Sequence, residues 1–241
     1  MWLNRHRGIA LAVAMLLVVA LVWGVKLVRM ARSVERNADY WSQPRGQLGG
    51  LLFVALGDSS AQGIGASQPD RGYVGLLAQK LRTRTGRPVE VVNLSRSGAR
   101  IRDVVDTQLP ALAALGRSPD VLTVGIGGND MASYERQRFA SAVERLTAAL
   151  PAGAYVADVP YFMHGRSEQN AQQAADLLRS SATRHGLRPV ALHDLLRAQG
   201  GWGMFTQFAA DWFHPNDRGY RIWAKAFWQE LAHDPVLPAS R

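Results

Sequence analysis

The chain has no cysteine in its 241 residues. That excludes disulfides, thiolate zinc sites, iron–sulfur clusters and a cysteine nucleophile together. It leaves the compartment open, because a well-packed domain is exported without disulfides. Acidic residues are also few, 19 against 28 Lys and Arg, for a net charge of +9. The excess is uneven. Residues 1–45 carry seven basic and two acidic residues, and residues 46–241 carry 21 and 17. More than half of the imbalance therefore flanks one apolar segment, and a basic stripe with interleaved aromatics is absent from the rest, which argues against a nucleic-acid partner. With 47% hydrophobic and 20% charged residues, disordered and fibrous classes are excluded as well.

Charge is missing altogether from Gly8 to Val25, 18 consecutive positions. As a helix they span ~27 Å, about the thickness of a bilayer core. Basic residues flank both ends, and Trp2 and Trp23 suit the two interfaces. The segment is followed by Lys26-Leu27-Val28-Arg29 rather than a small-residue cleavage site, so it reads as an uncleaved single-pass anchor, residues 1–30. A count of flanking cations favours a cytoplasmic C-terminal domain. Use of such anchors for export points the other way, and an extracytoplasmic domain on the cell membrane is the expectation. Residues 31–50 are polar, with Pro44, Gly46, Gly49 and Gly50, and read as a tether.

From Leu51 onward short apolar runs alternate with amphipathic stretches. Strands are predicted at Leu51–Leu56, Pro88–Asn93, Asp120–Ile126, Gly153–Val159 and Arg188–Leu192. Helical spacing joins Val74, Leu77 and Leu81, then Phe139, Val143, Leu146 and Leu150, and finally Tyr220, Trp223, Phe227 and Leu231. The strand runs are continuous rather than alternating, as strands covered on both faces require. The pattern predicts one α/β domain over 51–233, a three-layer α/β/α sandwich with a five-stranded parallel sheet, and a tail from 234 to 241.

Ligands of such sheets bind beyond the carboxyl ends of the strands. Gly57-Asp58-Ser59-Ser60 follows the first strand, Asn93 to Gly98 the second, and Gly127-Gly128-Asn129-Asp130 the third; Asp211-Trp212-Phe213-His214 precedes the last helix. These blocks hold what acyl transfer needs. Ser59 is a nucleophile, His214 its base, and Asp211 the group that orients the imidazole. Gly98 and the Asn129 amide, with the Ser59 N–H, are donors for an oxyanion. Pro215 biases His214 away from helical dihedrals, and Asn216 or Asp217 caps the final helix. Asp58 and Asp130 read as structural neighbours.

The four blocks, in this order, resemble those of the SGNH/GDSL hydrolases, a family of serine esterases and lipases. The resemblance covers about residues 51–233 and departs from the name where Ser60 replaces leucine. It implies a flavodoxin-like fold, Ser59, Asp211 and His214 as the triad, Gly98 and Asn129 as oxyanion donors, and no metal or other cofactor. The implied activity is hydrolysis of a small or lipid carboxylic ester. The alternatives are an O-acetyl esterase or acyltransferase working on cell-surface glycans, and a binding module that kept the fold. Other motifs fail: no GK[ST] follows a glycine loop, and no G-x-S-x-G is present. Residues Gly200–Phe213 concentrate aromatics among glycines, predicting a loop-rich apolar lip in which Trp202 and Phe205 touch the acyl group.

Overall fold

The structure is a computed structural model and describes residues 2–234 and 237. Most of the expected tail 234–241, and the side chain of Trp2, lie outside the described residues. A six-stranded sheet runs β1 (Arg45–Gly46), β3 (Val89–Asn93), β2 (Leu51–Gly57), β4 (Val121–Gly125), β5 (Tyr155–Ala157) and β6 (Arg188–Val190) across its width. All pairings are parallel except that of β1 with β3. The five parallel strands are those predicted, with each end moved by at most two residues, so that β5 is cut from seven to three; the antiparallel β1 is a sixth strand beyond the five expected. Their order places the chain reversal at β2, the point where open α/β sheets bind ligands.

The continuous apolar run of β2 is explained by the two layers on either side. Leu51, Phe53 and Ala55 pack against α2 (Tyr73–Thr85) and α9 (Asp217–Leu231). Leu52, Val54 and Leu56 pack against α5 (Arg136–Ala149) and α6 (Gly165–Arg184). The predicted helical stripes face these layers: Val74, Leu77, Leu81, Phe139, Val143, Leu146, Tyr220, Trp223 and Phe227 are all buried.

The segment read as a tether behaves differently. Helix α1 (Trp2–Trp41) continues through the apolar segment and beyond it without a break. Ser33, Asn37 and Trp41, spaced by four, form a buried stripe on it. Asn37 Nδ2 and Trp41 Nε1 both donate to the Gln62 carbonyl, at 2.9 and 3.1 Å. The chain then turns back to add β1 to the β3 edge. Gly46 has φ +88°, and a Cβ there would lie 2.1 Å from the Val89 carbonyl oxygen, so only glycine closes this pairing. The short antiparallel strand covers an edge that would otherwise stay open. Among the described residues α1 is the one helix long and apolar enough to cross a membrane, and its most apolar stretch is unburied.

Candidate active site

Three short connections and one return loop meet at the carboxyl ends of β2, β3 and β4. At the end of β2, the buried Gln108 side chain, from the π-wound turn Val104–Gln108 between α3 (Ile101–Asp103) and α4 (Leu109–Ala113), grips Gly57. Its Oε1 accepts from the Gly57 N–H at 2.8 Å and its Nε2 donates to the Gly57 carbonyl at 2.8 Å. The chain then turns sharply, with the amides of Ala61 and Gln62 donating to the Asp58 carbonyl. Ser59 sits on that turn.

The return loop brings His214 to it. The Ala209 N–H donates to the His214 carbonyl at 2.8 Å, and Asn216 Nδ2 donates to the carbonyls of Thr206 and Phe208, so the loop closes on itself. Asn216 Oδ1 accepts from the amides of Arg218 and Gly219 and caps α9, as the sequence predicts. His214 Nε2 lies 2.9 Å from Ser59 Oγ, and His214 Nδ1 lies 2.6 Å from Asp211 Oδ2. Asp211 Oδ1 accepts the amides of Phe213 and His214 at 3.2 and 3.1 Å. Burial alone would raise the Asp211 carboxyl, but the bond from His214 and these two amides hold it below its ordinary value. An ionised Asp211 is what keeps the imidazole oriented with Nε2 toward the serine.

Of the predicted oxyanion donors, Asn129 lines the same pocket as Ser59, and Gly98 stands on the turn that Gln62 ties to the Ser59 turn through Ser97. Gly98 has φ +78° with open space where a Cβ would go, so its glycine answers to backbone conformation. Among the described residues, neither the Ser59 nor the Gly98 amide has a protein acceptor. Asn129 lines the pocket with Ser59 and donates one amide hydrogen to the Ala99 carbonyl at 2.9 Å. Its second amide hydrogen has no protein acceptor among the described residues. No group of His, Asp and Glu among the described residues is arranged to hold a metal.

Gln62 escaped the sequence reading and links the whole arrangement. Its Nε2 donates to the Ser95 carbonyl at 3.0 Å, and its Oε1 accepts from Ser97 Oγ at 2.6 Å. Its own carbonyl receives the two bonds from α1. One residue thereby ties the Ser59 turn, the Gly98 turn and the N-terminal helix. A lone Gln in a loop carries no periodic or motif signal that would reveal this.

Asp130 accepts the Ile101 amide at 3.2 Å, and Asp58 Oδ1 accepts the Ser60 amide at 2.9 Å. Burial pushes Asp58 up to about 6, partly offset by the Ser60 amide and the charge of His214. In the unfolded chain an Asp loses its proton nearer 3.8. Between these values the unfolded state binds fewer protons, so native stability falls as pH rises from about 4 to about 6. Asp58→Asn keeps the acceptor and removes the titration. The variant should melt like wild type near pH 4 and be more stable at pH 7, by at most ~3 kcal/mol. Parallel melting profiles from pH 4 to 7 would show that Asp58 does not titrate there.

The Ser59 pocket is walled largely by apolar groups, among them Ile126, Tyr161, Phe162, Phe208, Trp212 and Phe213. Trp202 and Phe205 stand apart from it. The stretch predicted as loop begins with helix α8 (Gly200–Gln207), and both side chains project from it into solvent, 72% and 68% exposed. Helix propensity is a weak prior here. Gly203 packs against Gln199 and Gln207 so tightly that a Cβ would approach Gln199 Cβ to 2.6 Å, and contact with α9 completes the support. Trp212 takes a left-handed φ of +55°, unusual for a bulky residue, two residues before His214. His193 is buried between the Val159 carbonyl and Glu168, a packing role.

Comparison with known proteins bears on the family and the fold. The chain is 25% identical over 183 residues to the GDSL-like esterase Rv1075c of Mycobacterium tuberculosis, an alignment covering 70% of this chain and 58% of that relative. The chain thus spans little more than half of that curated relative's length. Its structure is similar to that of LAE5, an alpha/beta hydrolase from the metagenome of Lake Arreo, Spain (TM-score 0.61, 24% identity, 78% of this chain and 96% of that one). It is similar also to Axe2, an acetylxylan esterase from Geobacillus stearothermophilus (TM-score 0.60, 19% identity, 78% and 97%). At these identities the two structures speak for the fold. The profile of the GDSL-like lipase/acylhydrolase family matches residues 55–222, most of the folded region, and the chain belongs to that family.

Proposed function

We propose that the chain is a serine hydrolase of carboxylic esters, held at a membrane by α1. The observation that carries this reading is the unbroken chain from Ser59 Oγ through His214 to Asp211, at 2.9 and 2.6 Å. In the first half-reaction Ser59 Oγ attacks the acyl carbonyl while His214 Nε2 takes its proton. The amides of Ser59 and Gly98 and the Asn129 side chain stabilise the negative oxygen. The intermediate expels the alcohol, which receives the proton from His214, and leaves an acyl-Ser59 ester. Water then gives a proton to His214, attacks that ester, and the acid departs as Ser59 regains its proton. Anchoring follows from the uncharged run Gly8–Val25 with cations on both sides, and an extracytoplasmic domain remains part of the reading.

The apolar pocket wall favours an acyl chain longer than acetyl. Each further methylene buried adds up to ~0.8 kcal/mol of binding. The test is a series of nitrophenyl esters from acetate upward, with the full chain in detergent. Turnover efficiency should rise over the first added methylenes, and Phe213→Ala should flatten the rise. A wild type indifferent to chain length would favour the glycan O-acetyl esterase reading, to which the fold of Axe2 also conforms. No turnover of any ester would remove the hydrolase reading altogether. Detergent is needed for a structural reason too, since a fragment starting at Gly46 would lose Ser33, Asn37 and Trp41 from the domain's surface.

A further inference from the structure

Two surfaces meet at the mouth of the Ser59 pocket. One is aromatic. Trp202, Phe205, Trp212 and Phe213 are 72%, 68%, 47% and 50% exposed, and between residues 51 and 234 no other described large apolar side chain is exposed to that degree. Phe205 meets Trp212 edge-on with ring centroids 6.3 Å apart, and Phe213 meets the His214 ring at 5.0 Å. A contiguous apolar rim of this kind marks an interaction surface.

The other surface is cationic. A groove of about 1020 Å³ runs between α1 and the start of α9, lined by Lys26, Arg29, Arg32, Arg36, Arg218 and Arg221. All six are exposed, and none forms an ion pair among the described residues. The one carboxylate on its wall, Asp217, is engaged with the Ser67 amide and hydroxyl at 2.7 and 2.6 Å.

Trp23 joins the two surfaces. It stacks on Trp212 with centroids 6.0 Å apart and planes at 24°. Trp23 lies two residues before the end of the uncharged run, the level at which tryptophan sits at a membrane interface. Its stacking sets Trp212, two residues from His214, at that same level. Lys26 and Arg29 follow within ~9 Å along the helix axis, in the headgroup layer. The bonds from Asn37 and Trp41 to Gln62 fix the domain to the helix in this pose.

We infer that the catalytic mouth is a membrane-docking face: the aromatic rim enters the leaflet that anchors α1, the groove holds that leaflet's anionic headgroups, and the substrate is an ester resident in the bilayer. The last clause rests on the hydrolase reading, whereas the docking itself does not. Six cations facing anionic lipid supply the complementarity, each strengthening association about fivefold.

The absence of cysteine provides the test, because one introduced cysteine is a unique labelling site. Full-length Phe205→Cys, and Ser118→Cys as a control on the exposed turn before β4 at the far end of the sheet, are spin-labelled in vesicles of phosphatidylcholine with phosphatidylglycerol. The label at 205 should collide with oxygen far more than with a water-soluble nickel chelate, and the label at 118 the reverse. Turnover of a vesicle-borne ester relative to a soluble one should fall at least about tenfold in Arg218→Glu/Arg221→Glu. A water-accessible label at 205 overturns the docking face, as does one buried by contact with a second labelled chain. Soluble-ester turnover with no turnover of the vesicle-borne ester overturns the substrate assignment. If neither ester is cleaved, the hydrolase reading fails while the label still decides the docking.

Discussion

Replacing Ser59 with alanine is expected to lower kcat/KM toward any ester substrate by on the order of 10³-fold or more, and His214→Ala by a similar factor. In the proposed mechanism both side chains belong to one proton-transfer unit, with 2.9 Å between Ser59 Oγ and His214 Nε2. Once the nucleophile is gone, a base has nothing to deprotonate, so the double variant should be scarcely worse than either single one. The Ser59 hydroxyl contributes little else, since its one described side-chain partner is His214. Ser59→Ala should therefore melt within a few degrees of wild type, about the effect of a single modest hydrogen bond. Steady-state kinetics with parallel melting curves check this. Near-normal turnover in a folded Ser59→Ala protein would sink the triad assignment.

The second large effect is expected at Asn129. Asn129→Ala should lower kcat by ~10²–10³-fold and leave KM nearly unchanged. In the resting structure one amide hydrogen is committed to the Ala99 carbonyl at 2.9 Å, which fixes the side chain. In the proposed mechanism the other meets the oxygen that becomes negative in the tetrahedral intermediate. A donor aimed at charge that develops only in the transition state changes kcat rather than ground-state affinity. Asn129→Asp should cost at least as much, because an acceptor then faces the oxyanion. A rise in KM at constant kcat would instead make Asn129 a substrate-binding residue.

Legibility in the sequence tracked how local the cause was. The strand runs at β2, β3 and β4 were legible because burial on both faces demands unbroken apolar stretches. Helices α2, α5 and α9 were legible because their core faces carry large residues at helical spacing. Helix α6 is harder to read, since its buried stripe is built mainly from Ala171, Ala174, Ala175 and Ala182, small residues that leave a faint periodic signal. The continuation of α1 past the apolar run was hidden by a mostly polar stretch, in which Ser33, Asn37 and Trp41 are buried and Tyr40 packs against the core. Asn37 and Trp41 are held by the Gln62 carbonyl, a partner far away in sequence.

The sequence by itself determined the chemical set at the proposed site. Ser59, Gly98, Asn129, Asp211 and His214 each supply a function that few other residue types provide, and each stands at a predicted strand end or before a capped helix. Only the tertiary structure decided what surrounds them. The expected acyl contacts Trp202 and Phe205 point into solvent because the stretch forms helix α8, held against α9 despite its local glycine content. The pocket wall passes instead to Phe208, Trp212 and Phe213 and to the Tyr161–Phe162 loop after β5. The seat of Trp23 on Trp212 is likewise a property of the fold, since the two residues are joined by packing across nearly the whole chain. The chemistry of the proposed site is carried by side chains and so is written residue by residue, whereas pocket walls and the seating of α1 on the domain arise from weak contacts summed over distant segments, which no local pattern encodes.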